Sequence, residues 1–357
     1  MYFDTSPKTK RTDLFGREFL LDTLVSYTRD VSVRMIVLKG LRRTGKTSLL
    51  NVALNEAKVM SLKVDVREAP YYDRKEFMAY LVEKIKDKIG EPLFQKILKY
   101  FSKVEVSYKD ISTTFFLNIE QKFSTFFEKL NEELQKKDEM LVLAFDEVQL
   151  LTKIKFEYNL AAVYDNYKHI KLILTGSEMG LLDQFLGKKD AESPLYGRAL
   201  MELDVPKFNE QETRTFLLKG FEQIKKTISL EEITEVITNF NGIIGCATQY
   251  GWFRSQGKSH AQAVSVVVEE GVKLTQKELD TFLSHRNQSR YLKLLRWIAK
   301  GYNQWGILKN QFVNEKAKVS DRQLYLYLTE LQDYGFVVKR DENYFVTDPL
   351  LLRNITS

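Results

Sequence analysis

The sequence predicts an α/β protein built on a parallel sheet, with a helical segment and a small helix-and-hairpin domain behind it. Three observations carry that expectation. Apolar runs of strand length, such as those at 35–38 and 140–145, read as strands buried on both faces, as the strands of a parallel sheet are. Amphipathic helical stretches separate these runs, as crossovers between parallel strands require. After residue 286 the pattern changes to three short helices followed by two short alternating strands. The expected division is 1–207 for the α/β domain, 208–285 for the helical lid and 286–357 for the last domain.

A chain of 357 residues fits two or three domains. With 44% hydrophobic and 29% charged residues it reads as a soluble globular protein with ample core. No apolar run approaches the length of a membrane span, and 1–5 lacks the basic-then-apolar pattern of a signal peptide, so the expected compartment is cytoplasmic. The single Cys246 excludes an intrachain disulfide framework and a cysteine metal cage. His169, His260 and His285 are scattered and read as surface or structural residues rather than zinc ligands.

Residues 1–12 read as a basic lead-in arm. Then Asp13-Leu14-Phe15-Gly16-Arg17-Glu18 leads into a helix with apolar positions at 20, 21 and 24, Gly16 marking the entry turn. These residues are either a surface helix with its turn or, upstream of a phosphate loop, a wall for adenine.

The organising stretch follows the first strand. Gly40, Leu41, Arg42, Arg43, Thr44, Gly45, Lys46, Thr47 and Ser48 fit G-x-x-x-x-G-K-[ST] without a mismatch. The glycines permit backbone geometry that points successive N–H groups at a phosphate chain, and the following helix adds its positive end. Lys46 is expected on the β- and γ-phosphates and Thr47 on Mg²⁺. A second strand is expected at 61–67, mostly helical structure at 73–138, and a short hairpin strand at 104–108. The phenylalanine stripe through Phe115, Phe123, Phe126 and Phe127 follows one helical face and reads as core.

The apolar run ending in Asp146-Glu147 is the expected partner of the loop. Asp146 would hold Mg²⁺ through water and Glu147 would orient and deprotonate the attacking water. A further strand, 170–175, ends at Thr175-Gly176-Ser177. Ser177 or Thr175 reaches the γ-phosphate or the lytic water, or Ser177 caps the next helix. Arg198, just before the fifth strand, either points at a γ-phosphate, in its own chain or across an oligomer interface, or pairs with a surface acid.

Residues 209–269 read as helical, opened at Asn209 and closed once at Asn241-Gly242. Helices through Tyr291–Ile298, 307–314 and one opened by a Ser320/Gln323 capping box, then strands at 336–340 and 344–347, make a winged helix. Its 12 Lys and Arg against 7 Asp and Glu give +5 of the chain's +6. Duplex DNA is one expected partner for that charge, and a protein surface is the other.

The assembled motif order resembles the archaeal ATPase family, among the signal-transduction (STAND-type) ATPases related to AAA+ proteins. The resemblance runs nearly full length and adds Ser193-Pro194-Leu195-Tyr196-Gly197-Arg198 and Asp348-Pro349-Leu350-Leu351-Leu352-Arg353 to the motifs above. It implies an α/β P-loop NTPase with a five-stranded parallel sheet in order 5-1-4-3-2, a helical lid and a C-terminal winged helix. It also implies that Phe15, Gly16 and Arg17 line an adenine pocket, with ATP or ADP and Mg²⁺ as ligands. One departure is visible: where the family has Gly-x-Pro in the lid, this chain reads Gly242-Ile243-Ile244. A GTPase is disfavoured, because no Asp-x-x-Gly follows the third strand and no Asn-Lys-x-Asp occurs. A small-molecule kinase lacks an evident acceptor pocket. The remaining alternative to an ATPase is a nucleotide-gated binding module with little turnover, built from the same residues.

Overall fold

The computed structural model describes residues 1–101, 115, 116, 118–188, 190–284, 286–315, 317 and 319–356. The hairpin strand expected at 104–108 lies outside these residues. Five parallel strands, β1 Met35–Lys39, β2 Met60–Asp65, β3 Leu141–Asp146, β4 Ile170–Gly176 and β5 Met201–Asp204, form one sheet in order β2-β3-β4-β1-β5. That is the expected order, read from the other edge. The central strands β1, β3 and β4 are buried along their whole length, which explains their unbroken apolar runs.

Alternation along each strand splits the core into two layers. Met35 and Val37 face one layer with Leu143, Phe145 and Leu172. There they meet α3 Arg74–Ile89, α4 Glu91–Leu98, α5 Ile119–Lys136 and α6 Glu157–Asn166. Phe115, Phe123, Phe126 and Phe127 are buried in this layer, as the stripe predicted. Ile36, Leu38, Val142 and Ile173 face the other layer, against α1 Glu18–Arg29 and α2 Lys46–Ala57. The carboxyl ends of β1, β3 and β4 come out together at one edge, with Lys39 opposite Gly176, where open α/β sheets bind ligands. From this edge the short α7, Met179–Phe185, leads away from β4.

The lid is α8 Glu210–Gln223, α9 Leu230–Phe240, α10 Ile244–Ser255 and α11 His260–Leu283. Asn209, Ser229 and Ser259 each make a capping box at the start of α8, α9 and α11. α11 continues well beyond the expected end of the helical pattern. Its first half, with Ala263, Val264 and Val267, belongs to the lid core, and its last turns, with Leu279, Phe282 and Leu283, belong to the core of the next domain. At 24 residues it spans about 36 Å, enough to reach both.

The last domain is the expected winged helix: α12 Gln288–Ala299, α13 Trp305–Asn314, α14 Asp321–Asp333, then an antiparallel hairpin of β6 Val337–Arg340 and β7 Asn343–Val346. The Ser320/Gln323 capping box forms as predicted. The Asp348–Arg353 motif becomes α15, Pro349–Thr356, which turns back onto α11. Its Leu350 enters the lid core while Leu351 and Ile355 stay in the winged-helix core. α11 and α15 thus join the two domains by shared packing. Among the described residues, no helix is long and apolar enough to cross a membrane.

Candidate functional site

The loop between β1 and α2 is shaped by its glycines. Gly45 takes φ +97 at the start of α2, and a Cβ on Gly40 would lie 2.4 Å from the Val205 carbonyl oxygen. Arg43 is left-handed as well, at φ 61. Thr44 Oγ1 donates to the Leu41 carbonyl at 2.9 Å. Lys46 is 5% exposed, with Nζ 2.8 Å from the carbonyl oxygens of Gly40 and Leu41. Burial pulls its pKa down to about 8, against the opposing pull of Glu147 and Asp146.

Thr47 Oγ1 donates to Asp146 Oδ2 at 2.7 Å, and Thr175 Oγ1 donates to Oδ1 of the same carboxylate. Glu147 follows with φ 60, a left-handed turn that carries its side chain toward the end of β4. There Oε2 accepts hydrogen bonds from Gln149 Nε2 (2.7 Å), Ser177 Oγ (2.8 Å) and Ser177 N–H (3.2 Å). Burial would raise the Glu147 pKa, but the Gln149 bond, the Lys46 charge and Ser177 outweigh it and hold the group below the usual carboxylate range. Ser177 therefore serves Glu147. The capping alternative is not what forms, since the N-cap of α7 is Glu178 and carries no side-chain bond.

The two loop arginines reach outward. Arg42 bonds Glu178 at 2.8 Å, pairs with Glu278 of α11, and lies 3.3 Å from Ser177 Oγ. Glu178 keeps a raised pKa because burial exceeds the pull of Arg42. Arg43 points to the lid, with Nη1 3.5 Å from Cys246 Sγ, while its carbonyl accepts from Gly245 N–H at 3.0 Å. The N-terminus of α10 thus sits on the loop. Ile244, in the place of the usual proline, is the first residue of that helix and touches the space beside Gly45.

Phe15 packs edge-on against Tyr2, Phe208 and Phe216 at 5.5 to 5.7 Å. Gly16, at φ +63, turns beside the Phe208 ring. The Arg17 guanidinium stacks 4.4 Å over Phe208 and donates to the Pro206 carbonyl. Ser48 Oγ accepts from the Lys8 N–H at 3.0 Å, so the N-terminal arm lies across the loop.

These groups enclose a cleft of about 1060 Å³. Phe15, Arg17, Arg42, Lys46, Thr47 and Glu147 line it, and so do Tyr334 and Phe336 of the winged helix. Arg198 is not among the lining residues. Its Nε bonds Asp165 Oδ1 at 2.9 Å, the surface-acid alternative, so the structure does not bring it to a γ-phosphate of its own chain. Gln149, Glu178, Glu278 and the arm residues are site neighbours that the spacing arguments missed. Gln149 sits three positions after Asp146, a usable signal, whereas nothing local marks Glu278.

Residues 14–245 match the family described as an ATPase domain predominantly from Archaea. The chain belongs to this family. Residues 285–347 match the MCM protein C-terminal winged helix-turn-helix domain. Among solved structures, the Walker-type ATPase PABY2304 of Pyrococcus abyssi is 30% identical, with 99% of each chain covered and a TM-score of 0.80. The Aeropyrum pernix ORC2 protein, in ADPNP–ADP complexes, is similar in fold at 16% identity, TM-score 0.63, with 99% of this chain and 95% of that one covered. No curated protein matches the chain. Its cleft is therefore that of a nucleotide-binding archaeal ATPase domain, extended by a winged helix that shares the cleft wall.

Proposed function

We propose that this archaeal ATPase hydrolyses ATP with Mg²⁺ and uses the nucleotide state to set the position of its winged helix. The observation that carries the reading is the convergence in one cleft of the phosphate loop, Glu147 after β3 and the edge of the winged helix, with Asp146 directly behind Thr47. Thr47 and Asp146 supply only oxygen donors and already face each other at 2.7 Å, a set that suits Mg²⁺ completed by phosphate oxygens and water. Mg²⁺ bound there would neutralise charge on the β- and γ-phosphate oxygens.

Lys46 exchanges its two loop carbonyls for phosphate oxygens when nucleotide enters. Glu147, ionised and held at Oε2, accepts a proton from the attacking water as the water oxygen bonds to the γ-phosphorus. The γ-phosphorus bond to the bridging oxygen breaks and its electron pair leaves with ADP. Phe15, Gly16 and Arg17, backed by Tyr2 and Phe208, form the adenine wall.

Arg42 supports the coupling, since one guanidinium ties the loop to Glu178 behind β4 and to Glu278 on the helix shared with the winged helix. Slow turnover is the alternative these ties favour, because Arg42, Lys46 and Glu147 each hold partners within the chain that nucleotide and water must compete with. The +5 charge of 286–357 favours duplex DNA as the partner of the winged helix. Tyr325 and Leu326, exposed on α14, favour a protein surface as the alternative.

Phosphate release by the full chain, with Mg²⁺ and with EDTA, tests the reading. Glu147→Gln keeps ATP affinity and loses roughly 10²-fold or more in turnover, and Asp146→Asn loses the Mg²⁺-dependent part of binding. Wild-type turnover in Glu147→Gln, or equal turnover in EDTA, overturns it.

A further inference from the structure

We propose that Gln149 is a positioning residue for Glu147, holding one carboxylate oxygen so that the other faces the attacking water. This rests on the reading of Glu147 as the base. Gln149 lies in the 3₁₀ turn Val148–Ile154 directly after β3 and is 5% exposed. Its Nε2 donates to Glu147 Oε2 at 2.7 Å and lies 3.3 Å from Glu178 Oε2. The amide has one sensible orientation. Turned over, its oxygen would face two carboxylates, and only the NH₂ end can bond both.

Three further features hold the side chain in place. Val148 and Leu151 on either side of it are fully buried, so the turn cannot swing. The Thr152 hydroxyl donates to the Gln149 carbonyl at 2.8 Å. Gly176, at the end of β4, leaves the room the amide needs, since a Cβ there would come within 2.7 Å of Gln149 Oε1. That Oε1 is buried and makes no hydrogen bond among the described residues. A buried unbonded amide oxygen is destabilising, and packing alone gives no reason to carry it.

The consequence falls on Glu147. With Gln149 and Ser177 both on Oε2, that oxygen is saturated. Among the described residues no hydrogen bond reaches Oε1, which leaves it to accept from water. A carboxylate tethered at one oxygen keeps the other within a small volume, and placement of a reacting group of this kind is worth at least tenfold in rate. Gln149 also spans from Glu147 to Glu178, the carboxylate that Arg42 engages, so the base and the phosphate loop share one anchoring amide.

The test measures single-turnover ATP hydrolysis by the full chain with Mg²⁺, in wild type, Gln149→Met, Glu147→Gln and the double variant. Methionine keeps the length and removes the donors. Gln149→Met lowers the hydrolysis rate about tenfold or more and leaves ATP affinity within about threefold. In the Glu147→Gln background the same change has no further effect, because a positioning residue acts through the group it positions. A wild-type rate in Gln149→Met overturns the proposal. So does a loss that repeats in full in the double variant, or one matched by an equal loss of ATP affinity, since either marks a structural role. Gln149→Leu, which has no donor and adds no charge, repeats the measurement if the methionine variant does not fold, and failure of both to fold overturns the proposal too. Wild-type hydrolysis in Glu147→Gln removes the base assignment itself. An inactive Glu147→Gln beside an unaffected Gln149→Met removes only the role of Gln149.

Discussion

Gly180→Ala is a direct test of whether the winged helix must stay seated for the cleft to keep its resting form. Gly180 lies in the first turn of α7, where the end of α14 crosses it. A Cβ at Gly180 would lie 2.2 Å from Asp333 Cα, 2.4 Å from its Oδ1 and 2.8 Å from its Cβ. The obstacle includes the backbone of α14, so a rotamer change cannot relieve it, and the helices must separate by more than 1 Å to reach ordinary contact. Two effects then oppose each other. Alanine favours α7 itself by up to about 1 kcal/mol. Overpacking at the contact costs about 1–3 kcal/mol, and this term acts only in the docked arrangement. The docking equilibrium therefore shifts by roughly 5- to 150-fold toward release, while the α/β domain keeps or gains stability. Hydrogen exchange read at α7, at the end of α14 and at Tyr334–Phe336 is the assay, paired with phosphate release. Faster exchange confined to these segments, with faster phosphate release, is the expected result. Unchanged exchange would show that the contact is not the one holding the winged helix, and faster exchange with unchanged turnover would show that its seat does not govern the cleft.

Three other outcomes are expected. Arg198→Ala leaves ATP affinity unchanged and lowers turnover only at chain concentrations where oligomers form; a loss at every concentration would place Arg198 in its own chain's cleft. Lys171→Met should lower the melting temperature markedly, because buried Lys171 bonds the carbonyls of Tyr27, Thr28 and Asp30 at 2.6 to 2.8 Å, and losing three such bonds costs about 3 kcal/mol. For the winged helix, Lys339→Ala with Arg340→Ala flattens the salt dependence of duplex DNA binding by a slope of about two. Affinity is expected to be modest, since Lys339 already pairs with Glu342 at 3.4 Å and Lys309 with Asp321 at 2.6 Å. No binding to DNA at low salt would leave the protein partner.

Much of the site was legible because its residues lie close in sequence. Gly40 to Ser48 form one turn, and Asp146 and Glu147 end one strand, so spacing alone carried their chemistry. The same logic leaves open what depends on distance. Arg198 beside the fifth strand suits a γ-phosphate or a surface acid equally by its sequence, and in the fold Asp165, 33 residues earlier, pairs with it. The helical pattern after Asn209 carries no breaker at the passage from the lid to the last domain, because α11 does not break between the two cores it serves.

What the sequence determined by itself was the phosphate loop, its acidic partner, the unbroken apolar runs of a parallel sheet and the winged-helix pattern. Each follows from backbone geometry or burial period within a few residues, which local composition sets. Tertiary structure alone decided that Gln149 and Ser177 share one oxygen of Glu147, that Arg42 meets Glu278, and that Tyr334 and Phe336 close the cleft. The Arg42–Glu278 pair alone joins parts of the chain 236 residues apart. No local preference encodes these pairings: the first arises where β3 and β4 end side by side, and the others where α11 and α15 carry the winged helix back against the sheet edge.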